Sequence, residues 1–181
     1  MLSRIPGSAG SVHPVTPWAK AVLRTPCRAV DTFDDQLERL IEDMFATMYA
    51  ADGVGLAANQ IGVGLRVFVY DCPDDEDVRH LGHVVNPVLV EADGVVVAGE
   101  EGCLSLPGLR AQTPRFDRAV VRGQDVTGVP LEIEGTGFFA RCLQHEAAHL
   151  DGGVFLDSLT GLRRARALRA TRRAAWFVAP E

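Results

Sequence analysis

The chain has 181 residues, of which 47% are hydrophobic and 23% are charged, a balance typical of one compact globular domain. Its formal net charge of −6 argues against general nucleic-acid binding and so against DNA as a partner, and no apolar run is long enough to predict a membrane-spanning helix.

The N-terminal residues 1–15 contain one arginine and no apolar core segment. This composition disfavours a secretory signal and predicts a flexible leader, followed by a single domain over residues 16–181. The four cysteines, at positions 27, 72, 103 and 142, form no C-x-x-C pair. Reduced thiols in a cytoplasmic protein are therefore expected.

The first predicted element is an amphipathic helix over residues 32–50, TFDDQLERLIEDMFATMYA. Its apolar residues recur at helical spacing. Thr32 and Asp35 resemble a capping box, and Gly53 is a suitable stop.

Short β-like runs follow this helix: LRVFVYD, HVVNPVLV, GVVVAG, RAVVRGQD and PLEIEG. The segment DVTGVP, between the last two runs, has the composition of a turn. A second helix is predicted from about Gly137 to Asp151, with Gly152 at its left-handed end. A third helix is predicted from Leu162 to about Phe177. This order indicates an α+β fold with mostly antiparallel strand pairing.

The second helix contains His145-Glu146-Ala147-Ala148-His149, an H-E-x-x-H motif. Histidines four residues apart share one helix face, and this spacing suits a metal ion. A tetrahedral catalytic site has three protein ligands and one open position, so a third ligand is required. The alternative is a pair of partly exposed histidines without a metal.

The sequence downstream of the motif offers little for a third ligand. Phe155 stands where a metzincin protease would place its third histidine, and no glutamate lies between Glu146 and Glu181. Asp151 should point away from the metal-binding face. Asp157 remains a weak candidate.

The best upstream candidate is Cys103, in the segment GEEGCLSLPG. A thiolate with two imidazoles suits zinc or ferrous iron. Cys142 is a rival because it lies three residues before His145, although we expect it to line a pocket wall. A small buried hydrophobe is the alternative role for Cys103.

Three segments occur together in the chain: GVGLAANQ at 53–60, EGCLS at 101–105 and QHEAAHLDG at 144–152. In order and separation they resemble the motifs of the peptide deformylase family, and the resemblance extends over about residues 33–159. It implies antiparallel sheets packed around a central H-E-x-x-H helix, with an N-terminal and a C-terminal helix.

The same resemblance implies the activity of the domain at 16–181, which would be catalytic. The reaction would be hydrolysis of the N-formyl group from the N-terminal formyl-methionine of new polypeptides, with release of formate. The implied cofactor is one Fe²⁺ per chain, with zinc, nickel or cobalt able to occupy the same ligands.

Residue roles follow from the matching motifs. The resemblance places Cys103, His145 and His149 on the metal and makes Glu146 the general acid/base. Gln60 and the backbone N–H of Leu104 would form the oxyanion hole.

Substrate contacts are implied in the same way. Backbone groups of Val54, Gly55 and Gly102 would hold the peptide as an added strand, and Cys142 would line the pocket. Arg141 departs from the family, in which many relatives have an aliphatic residue. Either it tunes the pocket mouth, or its stem packs while its charged head reaches water, and the second reading is favoured.

Ala148 is a second departure, because the family usually has an aspartate at this position. That acid is not a metal ligand, so its replacement puts a supporting polar contact in doubt and leaves the predicted metal ligands unchanged.

Two other functions compete with deformylation. A zinc endopeptidase could use the same helix but would lack its downstream ligand. A non-catalytic metal-binding module would have no need for Glu146 or Gln60, and both are present.

Six arginines at positions 163, 164, 166, 169, 172 and 173 have no acidic residue among them. They predict a solvated face neutralised by the acidic body, or a surface that docks on ribosomal RNA by counterion release.

Overall fold

The structure is a computed structural model that describes residues 5–174 and residue 177. Its helices are α1 (Asp35–Ala50), α2 (Gly137–Leu150) and α3 (Gly161–Arg173), and its strands are β1 (Gly55–Ala57), β2 (Val67–Pro73), β3 (Arg79–Gly102), β4 (Arg110–Gln124) and β5 (Pro130–Thr136). The α+β prediction is confirmed.

The five strands form one antiparallel sheet in the order β1-β2-β3-β4-β5. The runs HVVNPVLV and GVVVAG, predicted as separate strands, both lie within the 24-residue β3. Register shifts near Pro87 and Gly94 let β3 continue past both residues. Gly94 has a positive φ of 83°, so a bulge here absorbs what the sequence suggested was a strand end.

The helix boundaries follow local capping chemistry. The side chain of Asp34 accepts hydrogen bonds from the backbone N–H groups of Gln36 and Leu37, so Asp34 is the N-cap of α1 and the predicted capping box at Thr32 is wrong. Helix α2 begins at Gly137, and Gly152 beyond its end has a φ of 82°, as predicted.

Helices α1 and α2 pack against opposite faces of the sheet. Successive side chains of a strand alternate between faces. Accordingly, Val67 and Val69 of β2 join the core around α1, and Phe68 and Tyr70 join the core around α2. Most side chains of α2 are consequently buried, and any polar group on this helix needs a partner inside the protein.

The segment before α1 lies along that helix. The backbone N–H of Ser11 donates to Asp43 Oδ1 at 2.7 Å, and the N–H of His13 donates to Thr47 Oγ1 at 2.9 Å. The division into a leader over 1–15 and a catalytic domain over 16–181 stays a prediction.

Helix α3 is attached to the body by few side chains. Ala167 and Thr171 are buried and Leu168 is half-buried, whereas Leu162 is 76% exposed. The side of α3 that faces the body is therefore formed by Ala167, Leu168 and Thr171 and not by Leu162. In the described part of the chain, no helix is both long and apolar enough to cross a membrane.

Candidate active site and metal centre

Three potential metal ligands converge between β3 and α2. The ligand atoms of Cys103, His145 and His149 all lie within 4.8 Å of one another, and Cys103 Sγ lies 3.2 Å from His149 Nε2. Zinc binds sulfur at about 2.3 Å and imidazole nitrogen at about 2.0 Å. Within the described residues, these three side chains form the one group found that could hold a metal ion.

The two halves of this group come from different elements. Cys103 follows the last residue of β3 and starts a tight turn, in which the N–H of Leu106 donates to the Cys103 carbonyl at 2.9 Å. The histidines lie one turn apart on α2 and face the same side. The strand end and the helix face together supply the predicted ligand set.

The other residues considered for the third ligand position make contacts away from these three atoms. Asp157 Oδ2 accepts from the N–H of Val154, and Asp157 Oδ1 lies 3.7 Å from Arg164. The thiol of Cys142 contacts the Val54 carbonyl at 3.8 Å. Phe155 is buried, and its ring is stacked 6.3 Å from that of His145. None of these side chains belongs to the cluster around Cys103.

Glu101 is a functional residue that the sequence reasoning missed. It is 5% exposed, and its Oε2 lies 3.1 Å from His145 Nδ1. A carboxylate is an acceptor, so Nδ1 carries the proton and Nε2 is left for the metal. Two arginines, Arg115 and Arg141, also donate to Glu101. A buried acid needs such partners, and the place of Glu101 as the first residue of the EGCLS motif was the available signal.

The charge states of this cluster follow from burial and hydrogen bonding. Burial alone would raise the pKa of Glu101, but hydrogen bonds with His145 and Arg115 outweigh it and lower the pKa to about 2. Burial likewise opposes protonation of His145, yet its bonds to Cys103 and Glu101 raise its pKa to about 10. Metal binding at His145 therefore competes with a proton. Burial lowers the pKa of His149, which favours the neutral ring that a metal requires.

Glu146 is placed for proton transfer beside the ligand group. It is 3% exposed, and its Oε2 has no hydrogen-bond partner among the described residues. Burial raises its pKa to about 7, close to the value useful to a general acid/base near neutral pH. Gly55 makes room for it, because a Cβ at Gly55 would lie 2.4 Å from Glu146 Oε1.

Gln60 is held with its amide nitrogen towards Cys103. Its Oε1 accepts from the N–H of Ala57 at 2.9 Å, and its Nε2 donates to Ser105 Oγ at 3.3 Å and lies 3.5 Å from Cys103 Sγ. The bond to Ala57 fixes which end of the amide faces the cluster. Ser105 and Ala57 were not singled out from the sequence, because their role depends on this packing.

A cavity of about 470 Å³ opens onto the cluster. Its walls include every residue predicted to contact the substrate or the oxyanion: Val54, Gly55, Gln60, Gly102, Leu104, Arg141 and Cys142. The reading in which the head of Arg141 reaches water is wrong. Its side chain is 10% exposed, and its guanidinium donates to Glu101 and to the Thr113 and Val97 carbonyls.

A comparison with known families decides what this arrangement is. The sequence profile of the polypeptide deformylase family matches residues 12–165. The chain belongs to this family. It is thus a metallohydrolase that removes the N-formyl group from new polypeptides, and the zinc endopeptidase alternative is not favoured.

Individual deformylases give the same result. The chain is 64% identical to peptide deformylase 2 of Streptomyces avermitilis over 172 residues, which cover 95% of this chain and 92% of that protein. The crystal structure of the Thermus thermophilus deformylase is 44% identical with a TM-score of 0.81, over 89% of this chain and 93% of the other. A Met-Ala-Ser-bound deformylase of Acinetobacter baumannii is 31% identical with a TM-score of 0.76, over 83% and 99% of the two chains.

Proposed function

We propose that Cys103, His145 and His149 hold one metal ion and that this ion is Fe²⁺, with zinc, nickel or cobalt able to use the same ligands. The observation that carries the proposal is the convergence of the three ligand atoms within 4.8 Å. The donor set supports it, because a thiolate with two imidazoles suits borderline-soft divalent ions. The bond from Glu101 to His145 is the kind of support that orients a ligating imidazole.

The surrounding residues supply proton transfer and charge stabilisation. The metal, when bound, acts as a Lewis acid and lowers the pKa of water. Glu146 takes the proton of the attacking water and delivers it to the leaving amine of the peptide. Gln60 Nε2 and the N–H of Leu104 donate to the formyl oxygen as negative charge develops on it. One such donor is typically worth about 3 kcal/mol of transition-state stabilisation.

The substrate is a formyl-methionyl peptide that binds along the cavity. Val54, Gly55 and Gly102 line its wall, and their backbone groups would pair with the peptide as an added strand. Cys142 and the stem of Arg141 would contact the methionine side chain. The A. baumannii relative is bound to a tripeptide that begins with methionine, which supports a methionyl peptide as the ligand. A cytoplasmic location follows from the proposed substrate.

The decisive assay offers the iron-loaded enzyme three peptides under argon: formyl-Met-Ala-Ser, acetyl-Met-Ala-Ser and an end-blocked peptide with internal bonds only. We expect formate from the first peptide and no product from the other two. The acetyl group is larger than the formyl group by one methyl, which the site must exclude, and the third peptide has no formyl group. Cleavage of the internal peptide without formate release would overturn the proposal.

We further propose that α3 docks on ribosomal RNA. The six arginines of α3 are all exposed. Among the described residues, one ion pair joins these arginines to the rest of the protein, the 3.7 Å contact of Arg164 with Asp157. The exposure of its cations supports a polyanionic partner over neutralisation by the acidic body. Binding of phosphates by several arginines releases counterions and depends steeply on salt.

Co-sedimentation with ribosomes across a salt series tests this docking. The α3 variant changes Arg163, Arg166, Arg169 and Arg173 to Gln, and the control changes four exposed arginines elsewhere, Arg28, Arg39, Arg79 and Arg122, to Gln. Both variants lose four positive charges, but only the α3 variant loses the arginines that we propose to contact RNA. We therefore expect ribosome binding to weaken markedly in the α3 variant alone. Equal weakening of both, or no sedimentation at low salt, would end the idea.

A further inference from the structure

Arg141 occupies an unusual position on α2 for a buried guanidinium. It lies one turn before His145 on the same helix face. Its Nη1 donates to Glu101 Oε1 and to the Thr113 carbonyl, both at 2.8 Å, and its Nη2 donates to the Val97 carbonyl at 2.8 Å. One side chain of α2 thereby contacts both β3 and β4.

These contacts bridge the two halves of the candidate metal site. Cys103 follows β3, whereas His145 and His149 belong to α2, so their separation depends on how the strand end sits against the helix. Glu101 lies two residues before Cys103. Arg141 therefore attaches the strand to the helix immediately beside the point where the cysteine leaves the sheet.

Glu101 is held by two arginines that have different effects. Arg115 makes a two-point contact with the carboxylate, at 2.9 and 3.1 Å, and belongs to β4, so it fixes Glu101 within the sheet. Arg141 shares its helix with His145, which contacts the other carboxylate oxygen at 3.1 Å. Because both donors come from α2, Arg141 fixes Glu101 relative to the metal-binding helix.

Gly99 of β3 provides the space for this guanidinium. A Cβ at Gly99 would lie 2.7 Å from Arg141 Nη2 and 2.8 Å from its Cζ, distances that require the group to move. The strand thus carries a glycine where the arginine crosses it. Strand β3 therefore provides the Arg141 guanidinium with both space, at Gly99, and hydrogen-bond acceptors.

We infer that Arg141 is a positioning residue that holds the Cys103 end of β3 at a fixed distance from His145 and His149, and so sets the metal affinity and the ligand geometry. The inference rests on the ligand assignment proposed above. Partners one step behind a metal ligand typically contribute 10–100-fold to metal affinity. Arg141 acts through Glu101 and the backbone of β3, so we expect about a tenfold effect.

Cobalt(II) titration against a competing chelator tests the inference, because it reports affinity and ligand-field spectrum together without a turnover assay. We compare wild type with Arg141→Met and with the control Arg118→Met, which removes an arginine from ion pairs on the exposed face of the sheet. We expect Arg141→Met to weaken cobalt binding about tenfold and to shift the visible spectrum. The control should match wild type.

A purely structural role would lower the urea midpoint of Arg141→Met and leave cobalt binding unchanged. Cobalt affinity within threefold of wild type, with the same spectrum, would therefore overturn the inference. If Arg141→Met does not fold, Gly99→Ala displaces the guanidinium without removing it and is judged by the same threshold. Cys103→Ala separates the two proposals, because full metal binding by that variant would refute the ligand assignment itself.

Discussion

At the scale of single residues, the two cysteines nearest the H-E-x-x-H motif differ in what they contact. Cys103 Sγ faces His149, whereas Cys142 Sγ contacts a backbone carbonyl. We expect Cys103→Ala to lose most of its metal after dialysis, because two imidazoles hold an ion less tightly than three ligands. Cys142→Ala should keep one metal per chain. Metal analysis with circular dichroism checks both variants, and the reverse result would identify Cys142 as the ligand.

Glu146 gives a second prediction at this scale. Glu146→Gln preserves the shape of the side chain but cannot accept and return a proton at the oxygen beside the ligand group. Because proton transfer typically contributes about 10²–10⁴-fold, we expect kcat to fall by that factor while metal content stays at the wild-type level. Steady-state kinetics with formyl-Met-Ala-Ser measure the change. A loss below tenfold would remove Glu146 from this role.

The sequence identified the candidate ligands better than it identified their supports. His145 and His149 were predicted from a spacing within one helix, and Cys103 from its chemistry and its motif. Glu101 and Arg115 were missed because their contacts depend on the register of β3 against β4 and on the packing of α2 over both strands. Arg141 was noticed but placed in water, since nothing local shows that three acceptors surround its head.

At the scale of elements, two residues compete as the N-cap of α1: Asp34, which caps the helix in the structure, and Thr32, which the sequence suggested. Asp34 accepts from two backbone N–H groups of the first turn, whereas the Thr32 hydroxyl donates to Asp31. Loss of an N-cap acceptor typically costs about 0.5–2 kcal/mol. We expect Asp34→Ala to lower the free energy of unfolding by about 1 kcal/mol in urea.

Thr32→Ala is the matched control for this cap. Its side chain lies outside the helix and is exposed, so we expect a change within about 0.5 kcal/mol. If Thr32→Ala proved the more damaging substitution, the capping box predicted from the sequence would be the correct description of this helix start.

Helix α2 was easier to predict than strand β3 for a physical reason, whereas the predicted end of α3 near Phe177 is wrong, because that helix ends at Arg173. The boundaries of α2 were predicted to within a residue, because capping and the 3.6-residue repeat are local signals. The long β3 was divided into two strands, because the stretch Glu91 to Asp93 between its two apolar runs and the following Gly94 are local signs of a strand end. The sheet overrides them by pairing β3 with β4 through register shifts. Strand length therefore depends on a partner that the local sequence does not show.

At the scale of the whole molecule, charge is distributed unevenly over a chain of net charge −6. The arginines of the sheet are paired with acids, as in the contacts of Arg118 with Glu91, Asp93 and Glu134. The arginines of α3 are exposed at one end of the described chain. Such asymmetry favours long-range attraction of α3 to polyanions while the acidic remainder is repelled, so α3 would approach RNA first.

The protonation of His83 makes the stability of the folded protein depend on pH. It lies on β3, and its Nε2 accepts from the N–H of Val126 at 3.0 Å in the turn between β4 and β5. Burial lowers its pKa below the ordinary value of 6.5, so the folded state holds the neutral ring. Below pH 6.5 the unfolded chain binds a proton that the folded chain does not, and stability is lost as the pH falls towards the folded-state pKa.

We expect the difference in unfolding free energy between wild type and His83→Gln to change with pH in that direction. The amide of Gln can accept the same hydrogen bond but does not titrate, so the comparison cancels the other ionisable groups, including those of the metal site. Wild type should lose stability relative to the variant by at most about 1.4 kcal/mol per pH unit between pH 6.5 and 5. Urea unfolding of both proteins at equal metal load measures it. A difference that is constant across this range would mean that His83 is not held neutral by the fold.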